Sequence, residues 1–141
     1  MGVDETREKI IGVADKLFGP FGFQKTSMDE IAKIARKAKG SIYYHFASKE
    51  DLFREVVQKE VKEIQLVLLA VLSNSELSAE GKLKKYVLTR LDLMQYATNY
   101  HEILNPWEID HLDFFDMAKL QFCTWEKESF IAIINEGVER G

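Results

Sequence analysis

The segment from Thr26 to Phe53 contains two helix-start signals close together, and their spacing limits what this part of the chain can form. Ser27 is followed three residues later by Glu30, the spacing of a capping box, in which a hydroxyl caps a helix N-terminus. Ser48 and Asp51 repeat the pattern. Two helices are therefore predicted to begin within this segment, with room for only one short helix between them.

The helix that follows Ser27 is predicted to have one apolar face. Its apolar residues recur at spacings of three and four, and they are Met28, Ile31, Ala32 and Ala35. Residues 36–40 interrupt this periodicity, and a helix of little more than one turn then places Ile42 and Phe46 on one side. A helix, a break and a second short helix form the helix-turn-helix plan, whose second helix enters the major groove of DNA.

Charge is unevenly distributed along the chain. The 141 residues carry a formal net charge of -4, which phosphate would repel. Between Gln24 and Lys49, however, basic residues outnumber the acidic Asp29 and Glu30. The basic residues of this island are Lys25, Lys33, Arg36, Lys37, Lys39 and Lys49. The island favours a local contact with nucleic acid, although an ordinary solvated helix face would carry similar charges.

Several side chains of this segment have chemistry suited to DNA. Lys39 and Lys49 can neutralise phosphates, which makes binding dependent on salt. Thr26 and Ser27, at a helix N-terminus, can offer hydroxyl and backbone N–H groups to a phosphate oxygen. Three residues combine a flat apolar surface with a polar tip, namely Tyr43, Tyr44 and His45. For Tyr43 the alternative is a place in the core.

The sequence KGSIYYHFASKEDLF, preceded by TSMDEIA at this distance, resembles the TetR family of bacterial transcriptional regulators. The resemblance extends from Thr6 to about Phe53 and includes REKIIGVADKLFGPFGF. It implies that the family's DNA-contacting positions correspond here to Thr26, Lys39, Gly40, Ser41, Tyr43, Tyr44, His45 and Lys49. Sequence readout would centre on Lys39, Gly40 and Ser41, because a glycine lets the backbone approach closely and a lysine can meet guanine.

The turn of the motif departs from the family pattern. Where the family usually has Ala-Gly-Val-Ser, this chain has Ala35, Arg36, Lys37 and Ala38. Lys37 replaces an apolar residue that would close the small core, and Ala38 replaces a hydroxyl that can cap the second helix. We therefore expect a first helix extended past Ala35, or a looser turn. Arg36 becomes a candidate for bidentate pairing with guanine if the altered turn directs it at the groove.

Further helices are predicted on both sides of the motif. One covers residues 6–18, and a long amphipathic helix covers residues 48–72 and would join the motif to a body. Another is expected over residues 79–100. A last helical region, continuous or broken, begins near residue 105 and runs to Asn135 or Glu136, with Gly137 as its stop, because glycine commonly terminates helices.

Large apolar side chains are frequent in the second half of the chain, enough to surround a cavity between helices. They are also what a helical core requires, so packing is the alternative interpretation. The resemblance implies that the body binds a small, often apolar effector. The candidate pocket residues are Met94, Tyr100, Trp107, Phe114, Phe115, Phe122 and Trp125.

Other kinds of site are not indicated. The single cysteine, Cys123, excludes an internal disulfide and suits a reducing cytoplasm. Asp110 and His111 are adjacent and do not share a helix face, so a solvated acidic stretch is preferred to a metal site. Neither a phosphate-binding glycine loop nor a nucleophile elbow is present. We expect no catalysis, metal or cofactor, and the longest apolar run, Leu66–Leu72, is too short to cross a membrane.

The sequence therefore predicts an all-α chain with a three-helix, DNA-binding head at residues 1–47. Residues 48–141 are expected to form a helical effector-binding and dimerisation body, incomplete at its C-terminus because the family usually continues with two more long helices. The resemblance implies a homodimeric repressor that a small molecule releases from palindromic double-stranded operator DNA. The alternative is a protein-interaction or ligand-carrying helical domain that keeps the head as a scaffold.

Overall fold

The computed structural model describes residues 2–97 and 113–141, with the exception of the side chains of residues 3 and 113–118. The helices are α1 (Val3–Phe21), α2 (Met28–Ala35), α3 (Lys39–His45), α4 (Lys49–Leu72), α5 (Ala79–Met94) and α6 (Asp113–Arg140). No strand occurs in these described ranges, and the predicted all-α class is confirmed. Within the same ranges, no helix has both the length and the apolar character needed to cross a membrane.

The described residues belong to two compact units. The first contains residues 2–60, and the second contains residues 61–97 and 113–141. Helix α4 contributes its first half to the first unit and its second half to the second. Each unit has its own set of buried apolar side chains.

Three phenylalanines form the centre of the first unit. The ring centroids of Phe18 and Phe53 are 5.1 Å apart in an edge-to-face arrangement, and those of Phe23 and Phe53 are 5.0 Å apart. Each fully buried ring of this kind contributes about 1.5–3 kcal/mol through the hydrophobic effect. Because Phe18 lies in the last turn of α1, Phe23 follows that helix and Phe53 lies in α4, the cluster joins three parts of the chain.

Helix α1 is longer than the predicted range of 6–18. It continues through Pro20 to Phe21, and Gly22 ends it with a φ of 84°. The Gly22 N–H donates to the Phe18 carbonyl at 2.9 Å. Proline in the final turn loses only one helical hydrogen bond, whereas the left-handed backbone of Gly22 redirects the chain.

Helices α5 and α6 run antiparallel in the second unit. Their paired side chains are Lys82 with Glu136, Tyr86 with Phe130, and Arg90 with Glu126. Residue numbers increase from Lys82 to Arg90 along α5, while those of their partners decrease from Glu136 to Glu126 along α6, so the two helices point in opposite directions. These contacts set the register of the two helices.

A glycine within α6 allows the two helices to approach closely. A Cβ atom at Gly137 would lie 3.1 Å from the Cβ of Ala79, which is tighter than normal packing. The prediction that Gly137 ends the last helix is therefore wrong, because α6 continues to Arg140. The missing side chain serves helix packing rather than helix termination.

The candidate pocket residues have mixed outcomes. Phe122 is buried, Trp125 stacks against it with ring centroids 5.9 Å apart, and Met94 is half-buried near the end of α5. Tyr100 and Trp107 lie outside the described residues, as do the side chains of Phe114 and Phe115. The pocket therefore stays a prediction.

Candidate nucleic-acid interface

The turn between α2 and α3 is tight and left-handed. Helix α2 ends at Ala35, and Arg36 adopts φ 56° and ψ 44°. The Arg36 N–H donates to the Lys33 carbonyl at 3.2 Å, and the Lys37 N–H donates to the Ala32 carbonyl at 3.0 Å. This is the Schellman arrangement, which satisfies carbonyls at a helix C-terminus.

The prediction of an extended helix or looser turn is therefore wrong. Arg36 adopts the conformation that glycine would adopt at little cost, and it is the one non-glycine residue with positive φ among the described residues. A side chain in this region costs about 1–2 kcal/mol. The turn persists because its hydrogen bonds and the burial of Ala35 and Ile42 hold both flanking helices in place.

Helix α3 is anchored from one side, as its sequence pattern predicts. Ile42 and Phe46 are both buried, whereas Lys39 and Gly40 are exposed and Ser41 is half-buried. No side chain caps the helix, because Ala38 precedes it; the backbone carbonyl of Ala38 accepts from the Ser41 N–H at 2.9 Å.

The aromatic residues of α3 present much of their surface to solvent. Tyr44 is 76% exposed and Tyr43 is 44% exposed, so the core alternative for Tyr43 does not hold. His45 is half-buried and packs edge-on against Tyr44, with ring centroids 5.1 Å apart. These rings and the backbone at Gly40 form the accessible side of the helix.

Both predicted helix caps are present. The Ser27 hydroxyl oxygen accepts from the Glu30 N–H at 3.2 Å, and the Ser48 hydroxyl oxygen accepts from the Asp51 N–H at 3.1 Å. A cap of this type contributes about 1 kcal/mol. The remaining N-terminal amides of α2 are the groups that a phosphate would meet.

The hydroxyl of Thr26 points into the first unit. The residue is 2% exposed, and its hydroxyl donates to the Gly22 carbonyl at 2.9 Å, with the Leu17 carbonyl at 3.4 Å. The proton of this hydroxyl is thus used to hold the connection between α1 and α2. Only its backbone and lone pairs remain for any other contact.

Lys49 is also engaged internally. Its ammonium donates to the Phe23 carbonyl at 2.8 Å and lies 4.2 Å from the centroid of the Phe23 ring. The charge-assisted hydrogen bond and the cation–π contact tie the start of α4 to the connection that follows α1. The sequence offered no signal for this contact, because the partners are 26 positions apart.

Lys39, the first residue of α3, forms an ion pair with Asp29 in the first turn of α2. The Lys39 ammonium and an Asp29 carboxylate oxygen are 3.0 Å apart. The hydrogen bond to Asp29, together with its charge, raises the pKa of Lys39. The sequence indicates Asp29 only as a local negative charge, because its position beside Lys39 depends on how α2 and α3 pack.

Arg7 supports the end of α3 from outside the motif. Its guanidinium lies 3.0 Å from the Glu55 carboxylate and 5.2 Å from the centroid of the Phe46 ring. It therefore contacts α4 and the C-cap residue that follows α3. The sequence motif did not indicate Arg7, because nothing local links it to these partners.

Comparison with known proteins gives a match over the same part of the chain. Residues 10–56 match the family of bacterial regulatory proteins described as tetR. The chain is 42% identical over 59 residues to the HTH-type transcriptional regulator QacR of Staphylococcus aureus, covering 42% of this chain and 31% of the relative. It is 38% identical over 87 residues to the HTH-type transcriptional regulator AcrR of Shigella flexneri, covering 60% of this chain and 40% of that protein.

Solved structures agree over nearly the whole chain. A transcriptional regulator from Cytophaga hutchinsonii superimposes with a TM-score of 0.80 at 32% identity, covering 94% of this chain and 67% of that one. A TetR transcriptional regulator from Legionella pneumophila gives a TM-score of 0.73 at 27% identity, covering 96% of this chain and 74% of that one. The chain thus spans well under half of the two curated relatives and about two thirds to three quarters of these structures.

Proposed function

This chain belongs to the TetR family of bacterial regulatory proteins, and we propose from this premise that its first unit binds double-stranded DNA in a sequence-dependent manner. Helix α3 would enter the major groove and α2 would cross the backbone. The observation that carries the proposal is the one-sided burial of α3. Ile42 and Phe46 anchor it, while Lys39, Gly40 and Tyr44 are exposed.

Base readout is assigned to the start of α3 and to the turn before it. Lys39 can donate to guanine O6 or N7, and Arg36 can pair with the same two acceptors bidentately. Beyond its chain neighbours and the backbone of its own helix, Gly40 has no atom within 4 Å of the place where a Cβ would stand, so its backbone is open to close approach. Ser41 adds a hydroxyl that can both donate and accept.

Backbone contacts are assigned to the flanking residues. Ser27 and the N-terminal amides of α2 suit a phosphate oxygen. Tyr43, Tyr44 and His45 suit sugar and phosphate through their polar tips. Thr26 and Lys49 stay in the proposed interface, but their internal hydrogen bonds support a role in positioning α2 and α4 beside any phosphate contact.

The body is proposed to make the DNA contact conditional. In this proposal, residues 1–47 form the head, and residues 48–141 bind a small effector and pair with a second copy, so that a cytoplasmic repressor leaves a palindromic operator when the effector binds. Family membership supports this division. Exposed apolar side chains on α6, among them Ile131, Ile134 and Val138, support an association surface.

The test is a selection of bound duplexes from random-sequence DNA, followed by sequencing. Enrichment of a palindrome would support DNA reading by a dimer, and a single half-site would support reading by one head. The affinity of the selected duplex should fall as salt rises, because each phosphate contact releases about 0.9 counterion. Absence of any enrichment would contradict the proposal and favour a protein-interaction domain that retains the head as a scaffold.

A further inference from the structure

We propose that Asp29 is a specificity-determining residue, whose carboxylate holds the Lys39 ammonium for reading bases and withholds it from phosphates. This inference rests on the proposed DNA-binding function and extends it to a residue that contacts Lys39 rather than DNA. The ion pair joins the first turn of α2 to the first residue of α3, which are the two helices of the proposed interface.

The position of Asp29 is well suited to this role. A carboxylate in the first turn of a helix is stabilised by the N-terminal end of the helix dipole. The packing of α2 and α3 then brings the Lys39 ammonium to 3.0 Å from the Asp29 carboxylate. Both side chains are largely exposed, Asp29 at 70% and Lys39 at 56%. An exposed pair of this kind is weak and can be rearranged by a competing anion.

The ammonium has enough donors for both partners. Lysine carries three N–H donors, so Lys39 can keep one hydrogen bond to Asp29 and direct the others to guanine O6 and N7. In this proposal the base edges and the backbone phosphates lie in different directions from Lys39, so turning toward a phosphate would require the ammonium to leave Asp29. Asp29 itself repels a phosphate that approaches. The pair therefore favours duplexes that offer the correct base over duplexes that offer phosphates alone.

The chain supplies a matched pair of substitutions. Asp29→Asn keeps the shape of the side chain and removes the charge that holds Lys39. Glu30→Gln removes the same charge from the neighbouring position of the same helical turn, and leaves the Lys39–Asp29 pair intact. Both variants should be checked for an unchanged unfolding midpoint, because both positions are exposed.

The measurement is the dissociation constant for the selected duplex and for a scrambled duplex, each over a range of salt concentrations. We expect Asp29→Asn to tighten binding to the scrambled duplex several-fold more than binding to the selected one. The salt slope on the scrambled duplex should steepen by about 0.9, because Lys39 gains a phosphate. Glu30→Gln should shift both duplexes equally.

Repeating Asp29→Asn in a chain that already carries Lys39→Ala tests whether Asp29 acts through Lys39. In a Lys39→Ala chain, Asp29→Asn should no longer change the ratio of the two affinities. Equal effects of Asp29→Asn and Glu30→Gln, or an unchanged effect in the Lys39→Ala chain, would overturn the inference while leaving the proposed function intact. Failure of the wild-type chain to bind any duplex would overturn both.

Discussion

The same kind of charged pair occurs in both units, but in different surroundings. In the first unit, Lys39 and Asp29 meet at the surface with more than half of each side chain exposed. In the second, Lys82 and Glu136 are 2.9 Å apart with only 10% and 23% of their side chains exposed. Exposed pairs exchange partners at small cost, whereas buried ones resist loss of either member.

In the proposed function the exposed pair belongs to the DNA-contacting surface, whereas the largely buried pair sets the register of α5 and α6. The polar groups of α5 and α6 satisfy one another, since the Tyr86 hydroxyl donates to the Glu126 carboxylate and Arg90 pairs with the same oxygen. Burial raises the pKa of Tyr86, so its hydroxyl keeps the proton that it donates. The polar groups on the exposed side of α3 keep solvent-accessible surface, which the proposed DNA contact requires.

The largest effect is expected from the anchor of α3. Ile42→Ala should lower the free energy of unfolding by about 3–4 kcal/mol, because Ile42 is completely buried and a cavity would remain. Ile34→Ala on α2 is the matched control, since Ile34 is 55% exposed. Denaturant titration measures both. Equal losses would contradict the assignment of Ile42 as the anchor.

A somewhat smaller loss is expected in the second unit. Glu126→Ala should cost about 2–3 kcal/mol, because Tyr86 and Arg90 lose their common acceptor while remaining largely buried. Glu128→Ala, two residues further along α6 and exposed, should change the unfolding free energy by about 0.5 kcal/mol or less. An unchanged unfolding free energy for Glu126→Ala would mean that the contacts of Glu126 with Tyr86 and Arg90 do not determine the register of α5 and α6.

Lys49→Ala tests a charge that is internally engaged. It should lower the unfolding free energy by about 1–2 kcal/mol, because both the hydrogen bond to Phe23 and the cation–π contact disappear. Lys25→Ala, an exposed lysine of the same basic island, is the control. If Lys49 acts only on DNA, stability will stay constant and only the salt slope of DNA binding will decrease.

Arg36→Gly should have opposite effects on stability and binding. Relief of the left-handed conformation should raise the unfolding free energy by about 1 kcal/mol. Loss of the guanidinium should weaken DNA binding. Arg36→Ala retains the strained Cβ and loses the same guanidinium, so it should weaken binding without the gain in stability. An Arg36→Gly chain that binds DNA normally would remove Arg36 from the interface.

The smallest effect on the unfolding free energy is expected when the pH is lowered. The hydrogen bond from Lys82 lowers the pKa of Glu136 below its usual value. The pair therefore contributes stability fully above about pH 4.5, and loses that contribution as the pH falls through the lower folded-state value. The difference in unfolding free energy between wild type and Glu136→Gln should shrink on acidification. A constant difference would exclude this linkage.

Local features were predictable from neighbouring residues. The caps at Ser27 and Ser48, the inward face of α3 and the end of α4 near Leu72 all follow from patterns within a few turns. The conformation of the turn at Arg36 was not predictable in this way. Arginine in place of the family's usual glycine predicted a different backbone conformation from the one observed. Packing of the flanking helices outweighed the preference of one residue.

Contacts between distant residues required the tertiary structure. Thr26 is a polar residue in a basic segment, yet its hydroxyl is buried against Gly22. Likewise, the sequence predicts a helix end at Gly137, whereas the structure places this glycine within α6 and close to Ala79. The sequence alone determined where helices begin and which faces are apolar, because capping and periodicity act within a turn or two. Only the tertiary structure decided which charges are held internally and which remain free to meet a ligand, because that depends on segments brought together by packing.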